Sequence, residues 1–204
     1  MLLQSLIIGL AIAAIPGPIF FEVVRRTLAK GFWYGALLSV GEFLGNSLLL
    51  ILIFFGISTL LTTTLSKITF YLMGSLILFW LGIKAFKLKE KGIKKSYANK
   101  IKNTNSIAVG FGIAVTSPIV IALWVSLSGS YLAQFSSKLL DFLNILVINF
   151  GFVIFHFTLA VIIHKTRKFI PPKQVVLLSK IFGTLLFVYG ISLLYEFFIL
   201  ILEF

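Results

Sequence analysis

One carboxyl, Glu42, stands alone in an otherwise uncharged apolar run over residues 32–61. An ionisable group in such a run is costly and points to function. A carboxyl kept from water favours its neutral form, so it is suited to taking up and releasing a proton. A protonated or Lys-paired structural Glu is the other reading. Asn46 lies one turn further on and shares the helical face of Glu42. A buried amide needs partners, and either a polar solute or a neighbouring helix can supply them. Asn149 and His156 stand in the same way in an uncharged run over 142–163. His156 has two readings as well, a proton relay or a hydrogen bond to an adjacent helix. Glu22 precedes Arg25 and Arg26 by three and four residues, the spacing of an ion pair at the edge of its run.

A second kind of chemistry belongs to the backbone. Pro16-Gly17-Pro18 interrupts the first apolar run and Thr116-Ser117-Pro118 the fourth. Each proline lacks an N–H and clashes with the carbonyl one turn back, and Gly17 adds freedom. Carbonyls freed near Ile12 to Ala14 suit an amino group, and N–H groups at Ile19 to Phe21 suit a carboxylate. The bland alternative is a kink packed against a neighbour. Trp124, six residues past Pro118, is either a wall of such a site or an ordinary packing aromatic.

The elements that must position these groups follow from composition. Of 204 residues, 59% are hydrophobic and 12% charged, and the mean hydropathy is +1.10. Soluble domains run nearer 45–50% apolar and 25% charged. The bilayer is the solvent that fits, which excludes a cytosolic enzyme, a disordered chain and a secreted domain. With no Cys, disulfide scaffolds, thiol redox chemistry and thiolate metal sites are excluded too. Six runs are long enough to span, over residues 2–24, 32–61, 68–86, 107–132, 142–163 and 175–202. The third is the shortest. The first lacks the basic start of a signal peptide, although Ala11-Ile12-Ala13 resembles a cleavage site.

The net charge of +12 is distributed by side rather than by patch. Of 18 Lys and Arg, 16 fall between spans one and two, three and four, or five and six, leaving only Lys67 and Lys138 opposite. That asymmetry puts the three basic connections in the cytoplasm and both termini outside an energised plasma or inner membrane. A nucleic-acid patch has no motif to support it. The basic connection 88–105 divides the single membrane domain 1–204 into halves of three spans, 1–87 and 106–204. An odd number of spans per half inverts one relative to the other. Both halves open with a Pro-interrupted span, but their internal spacings disagree.

The combined pattern resembles the LysE/RhtB group of amino-acid exporters. Ile15-Pro16-Gly17-Pro18 resembles that family's Pro-Gly-Pro. Gly31, Gly35 and Gly41-Glu42 resemble its glycine string, which usually closes in Gly-Asp. Tyr71-Leu72-Met73-Gly74 through Leu81-Gly82-Ile83-Lys84 resembles its glycine-rich third span. Ser117-Pro118 with Trp124 resembles an Asn-Pro followed by Trp. The resemblance implies an all-α integral membrane protein of six spans in a 3+3 inverted repeat, with the first and fourth helices broken at Pro. It implies export of amino acids or related small metabolites by proton antiport, with no cofactor. Glu42 in place of Asp and Ser117 in place of Asn leave the substrate open.

On this reading Pro16, Gly17, Pro18, Asn46, Ser117, Pro118, Trp124 and Asn149 bind substrate and Glu42 carries the coupling proton. The partners are a small solute, protons and the lipid bilayer, with homo-oligomerisation left open. The other readings are a cation or metal exporter of the same superfamily, for which two His and no Cys leave few soft ligands, and a non-transporting membrane scaffold. An enzyme finds little support. Asp141 is the only Asp, no motif surrounds a Ser–His pair, and His156 and His164 lack a third ligand.

Overall fold

The computed structural model describes residues 2–56, 61, 63–90, 93, 105–134 and 138–202, and among them the chain is helical with no strand. The helices are α1 (Leu2–Ala13), α2 (Pro18–Lys30), α3 (Phe32–Phe54), α4 (Thr64–Phe86), α5 (Asn105–Thr116), α6 (Pro118–Gln134), α7 (Lys138–Thr166) and α8 (Pro172–Leu202), with a short 3-10 turn at Arg167–Phe169. Four of them are long and apolar enough to cross a membrane, namely α3, α4, α7 and α8. At 23 residues, α3 and α4 are about 35 Å long, enough for a hydrocarbon layer of about 30 Å. The count rises to six if α1 with α2, and α5 with α6, each form one span, the two pairs bending by 73° and 65°. Large apolar side chains such as Leu44, Leu48, Leu76, Val188, Ile191 and Phe198 are exposed. The outer faces of the helices therefore suit lipid, and the protein is a multi-pass membrane protein.

The helix boundaries differ from the apolar runs in an informative way. Arg25, Arg26 and Lys30, read in the sequence as a connection, lie inside α2. The helix continues because Glu22 pairs with both arginines and so allows their burial. The whole turn from α2 into α3 is then Gly31, at φ +111°, where a Cβ would be strained and would meet the Arg167 guanidinium. Lys84, Lys165, Lys173 and Lys180 are likewise helical. Lys91, Lys94, Lys95, Lys100 and Lys102 lie outside the described residues.

Packing is by close backbone approach. Helix α1 lies on α7, where a Cβ on Gly9 would strike the Ile148 carbonyl and one on Gly151 would come within 2.9 Å of the Gly9 Cα. Helix α5 lies on α3 in the same manner, Gly41 against the Ile107 carbonyl and Gly110 against that of Leu38. Helices α4 and α8 form a third pair, in which Gly82 receives the Phe187 ring and Gly190 the Phe79 ring. Small residues at these crossings give the dispersion contact that holds helices together where lipid supplies no hydrophobic drive. Two buried apolar clusters flank the middle of the molecule. One gathers Phe21, Leu38, Leu81 and Leu186, and the other Leu49, Ile121, Trp124 and Ile148.

Candidate substrate cavity at the helix interruptions

Helical geometry stops at Ala13 and resumes at Pro18, and it stops at Thr116 and resumes at Pro118. Each new helix carries its proline at the first helical position, where a missing N–H breaks no bond and the fixed φ fits. Gly17, in extended conformation at φ −141°, caps α2 without a side-chain bond. The second interruption is a single residue, Ser117, whose carbonyl accepts from the Ile121 N–H.

A cavity of about 390 Å³ opens at the meeting of these two interruptions. The first turns of α2 and α6 line it through Ile19, Phe20, Ile119 and Val120. The last turns of α1 and α5 line it through Ile12, Ala13, Ile113 and Thr116. First-turn N–H groups have no acceptor within their own helix, and last-turn carbonyls have no donor. Two positive and two negative helix ends therefore converge on one space. The free groups are not all those the sequence indicates, since Ile12 O accepts from the Ile15 N–H and Phe21 N–H donates to Gly17 O. The rest of the wall is chiefly apolar, with Ile77 and Leu78 from α4, Phe152 from α7 and Leu193 from α8. Gly74 brings α4 up against the second interruption, where a Cβ would lie 2.7 Å from the Thr116 carbonyl. Tyr189 of α8 closes the first, its hydroxyl donating to the Pro16 carbonyl at 3.2 Å.

Two ionisable side chains reach this wall. Glu42 Oε2 and His156 Nδ1 lie 2.8 Å apart, bridging α3 and α7. Both residues are buried, at 4% and 3% exposure, so the contact is not screened by bulk water. The second ring nitrogen, His156 Nε2, is buried with no hydrogen-bond partner among the described residues.

Of the residues nominated from sequence, Pro16, Gly17, Pro18, Ser117 and Glu42 line the cavity together. Pro118 begins α6 between two lining residues without being one itself. Asn46 and Asn149 lie outside the lining and bond each other, Asn46 Nδ2 donating to Asn149 Oδ1 at 3.1 Å. Asn149 Nδ2 also donates to the Phe43 carbonyl at 3.3 Å and to Ser47 Oγ at 3.1 Å, tying α7 to α3 one turn from Glu42. Trp124 is fully buried against Phe152, with ring centroids 5.5 Å apart, and lies outside the lining. Tyr189 and Phe20 carry no reading in the sequence, and His156 is read there as a proton relay or a helix-to-helix bond but not as the partner of Glu42. Arithmetic could have found His156, because a lone buried carboxyl needs a partner and the chain offers only two His. Among the described residues no group of three His, Asp or Glu converges as a metal site would.

Glu22 is not at an exposed edge. It is fully buried, bound by Arg25 Nε at 2.8 Å and Nη2 at 2.6 Å and by Arg26 Nε, while Arg26 Nη1 reaches Ser106 Oγ at 2.9 Å. The cluster fastens α2 to the start of α5.

Comparison with known proteins gives a consistent picture. The model of the LysE type translocator family matches residues 10–197. The chain is 27% identical over 199 residues, 95% of each chain, to the Bacillus subtilis (strain 168) protein named "Putative amino acid efflux protein YcgF". It is 31% identical over 127 residues to the leucine efflux protein of Klebsiella pneumoniae, covering 61% of this chain and 59% of that one. The chemotactic transduction protein ChpE of Pseudomonas aeruginosa is 28% identical over 131 residues, 64% of each chain. No solved structure matches.

Proposed function

The chain belongs to the LysE type translocator family, and from that premise we propose that it exports amino acids with uncharged, apolar side chains in exchange for protons. The cavity at the two helix interruptions carries this reading. Its size fits one amino acid. First-turn N–H groups of α2 and α6 meet the substrate carboxylate. The ammonium group meets the last-turn carbonyls of α1 and α5 and the Glu42–His156 pair. Nothing with charge is then left over for a side chain, because Glu42 and His156 are the acidic and basic members of a wall that, Tyr189 aside, is dominated by Ile, Leu, Val and Phe. Amino acid efflux and leucine efflux in the names of two relatives support the same class.

Coupling rests on Glu42, the carboxyl that, with His156 beside it, forms the site where the proton is exchanged. The architecture we propose is a 3+3 inverted repeat in which α1 with α2 and α5 with α6 are two broken spans. The swapped contacts support it, α1 on α7 matching α5 on α3, with α4 on α8 between them. Rocking of one half against the other alternates access to the cavity.

Proteoliposomes loaded with a mixture of amino acids test this directly. An imposed proton gradient should drive loss of leucine, isoleucine, valine or phenylalanine, with lysine, arginine, glutamate and aspartate retained. Glu42→Gln should lose gradient-driven efflux while the protein stays folded. Loss of the charged amino acids instead would refute the assigned class, and gradient-driven efflux by Glu42→Gln would refute the coupling role.

A further inference from the structure

His156 carries more than a helix-to-helix bond. Its Nδ1 is committed to Glu42 at 2.8 Å, its Nε2 is buried with no partner among the described residues, and the residue lines the cavity. An unpaired buried ring nitrogen is costly. The residue borders the cavity, so a partner entering there reaches Nε2 once the ring or its neighbours shift to uncover it. We propose that His156 Nε2 is the atom over which the coupling proton and the ammonium group of the substrate compete. The inference rests on the amino-acid exporter reading and specifies how its site couples.

With Glu42 ionised and one proton on His156 Nδ1, that N–H donates to Glu42 Oε2 and leaves a lone pair on Nε2. The lone pair accepts one N–H of the substrate ammonium, which stays intact. A proton arriving from outside takes the lone pair, and Nε2 becomes a donor on an imidazolium. The ammonium loses its acceptor, meets a like charge and leaves. After the cavity turns inward, that proton departs to the cytoplasm and Nε2 is an acceptor again. No covalent bond to the substrate forms or breaks, and one proton enters for each molecule exported. Glu42 remains the counter-ion beside the imidazolium.

Other ionisable groups around α7 do not supply this function. α1 carries none. From α2, Glu22, Arg25 and Arg26 satisfy one another and Ser106, while Lys30 ends the helix. From α3 the group is Glu42 itself. α6 presents no Asp, Glu, Lys, Arg or His over Pro118–Gln134. On α7 itself, Asp141 lies in the first turn and His164 and Lys165 in the last, with Arg167 and Lys168 in the following turn. Tyr189 of α8 lines the cavity, with its proton given to Pro16 O.

The test is binding of radiolabelled leucine to the purified full chain in lipid nanodiscs across a pH series. Single-proton competition makes wild-type Kd rise about tenfold for each pH unit lost on the acid limb. His156→Gln keeps a polar side chain that cannot titrate. It should bind leucine more weakly than the wild type at high pH, with a pH-independent Kd, and lose proton-driven efflux. Wild-type pH dependence or proton-driven efflux in His156→Gln overturns the proposal. Should that variant fail to fold, the ring itself can be read. The chain has two His, so in His164→Asn the imidazole nitrogen-15 resonances belong to His156 alone. Saturating leucine should hold that ring neutral to lower pH, and an unmoved titration overturns the proposal. Absence of any amino acid binding or efflux in the wild type would instead remove the exporter reading beneath it.

Discussion

Glu22 shows how much one side chain decides in this chain. Two guanidiniums buried side by side are tolerable because one carboxylate accepts from both. Its removal leaves two like charges with no counter-ion in the same space. Breaking a buried pair by deleting one partner costs about 3–5 kcal/mol. Glu22→Gln should therefore lower the melting temperature in detergent well below that of the wild type, whereas Glu196→Gln on α8 should leave it nearly unchanged. Equal melting of the two variants would show that the Arg25–Glu22–Arg26 cluster is not stabilising. The same residue marks the limit of sequence reading at this scale. The i,i+3 and i,i+4 spacing was visible, but the depth of the pair was not, because burial depends on Ser106, eighty positions away. Glu42 stood out because it is alone in its run. Its partner His156 is 114 positions distant, and nothing local joins them.

At the level of elements, an all-helical chain was legible because hydrocarbon forces backbone groups to be satisfied within a segment. The helix ends were less so, since Arg25 and Arg26 read as a connection until their shared carboxylate was seen to draw them inside. The two interruptions are unequal in construction. The first has four residues between helices with Pro16, Gly17 and Pro18 in or beside them, and the second has Ser117 and Pro118 alone. Replacing Pro118 restores an N–H that can bond the Ala114 carbonyl and removes the ring clash with it. Pro118→Ala should thus let α5 run on into α6, reduce the 65° bend and abolish efflux. Pro16→Ala leaves Gly17 and Pro18 in place and should retain most of it. Efflux by Pro118→Ala at the rate of the wild type would show that the second interruption is not needed for transport.

The whole molecule adds a constraint that neither scale supplies, which is its orientation. If both bent pairs span, the chain crosses six times and the termini share a side. Arg25, Arg26, Lys30, Lys84, Lys165 and Arg167 then gather at one end of the bundle, where Arg167 Nη1 reaches the Thr27 carbonyl at 3.3 Å and Lys84 lies over the Trp80 ring. Moving a positive end of this kind across an energised membrane is unfavourable, so the orientation to test has it in the cytoplasm. The absence of Cys makes this measurable without prior engineering. Cysteines introduced singly at Leu2 and Leu202, exposed at the two ends of the chain, should react with a membrane-impermeant maleimide in intact cells. A cysteine at Lys87, exposed just past α4, should react only after the membrane is permeabilised. The opposite pattern would invert the protein in its membrane. The proton gradient would then face the Glu42–His156 pair from the wrong side for export, and the direction of transport proposed here would fall with it.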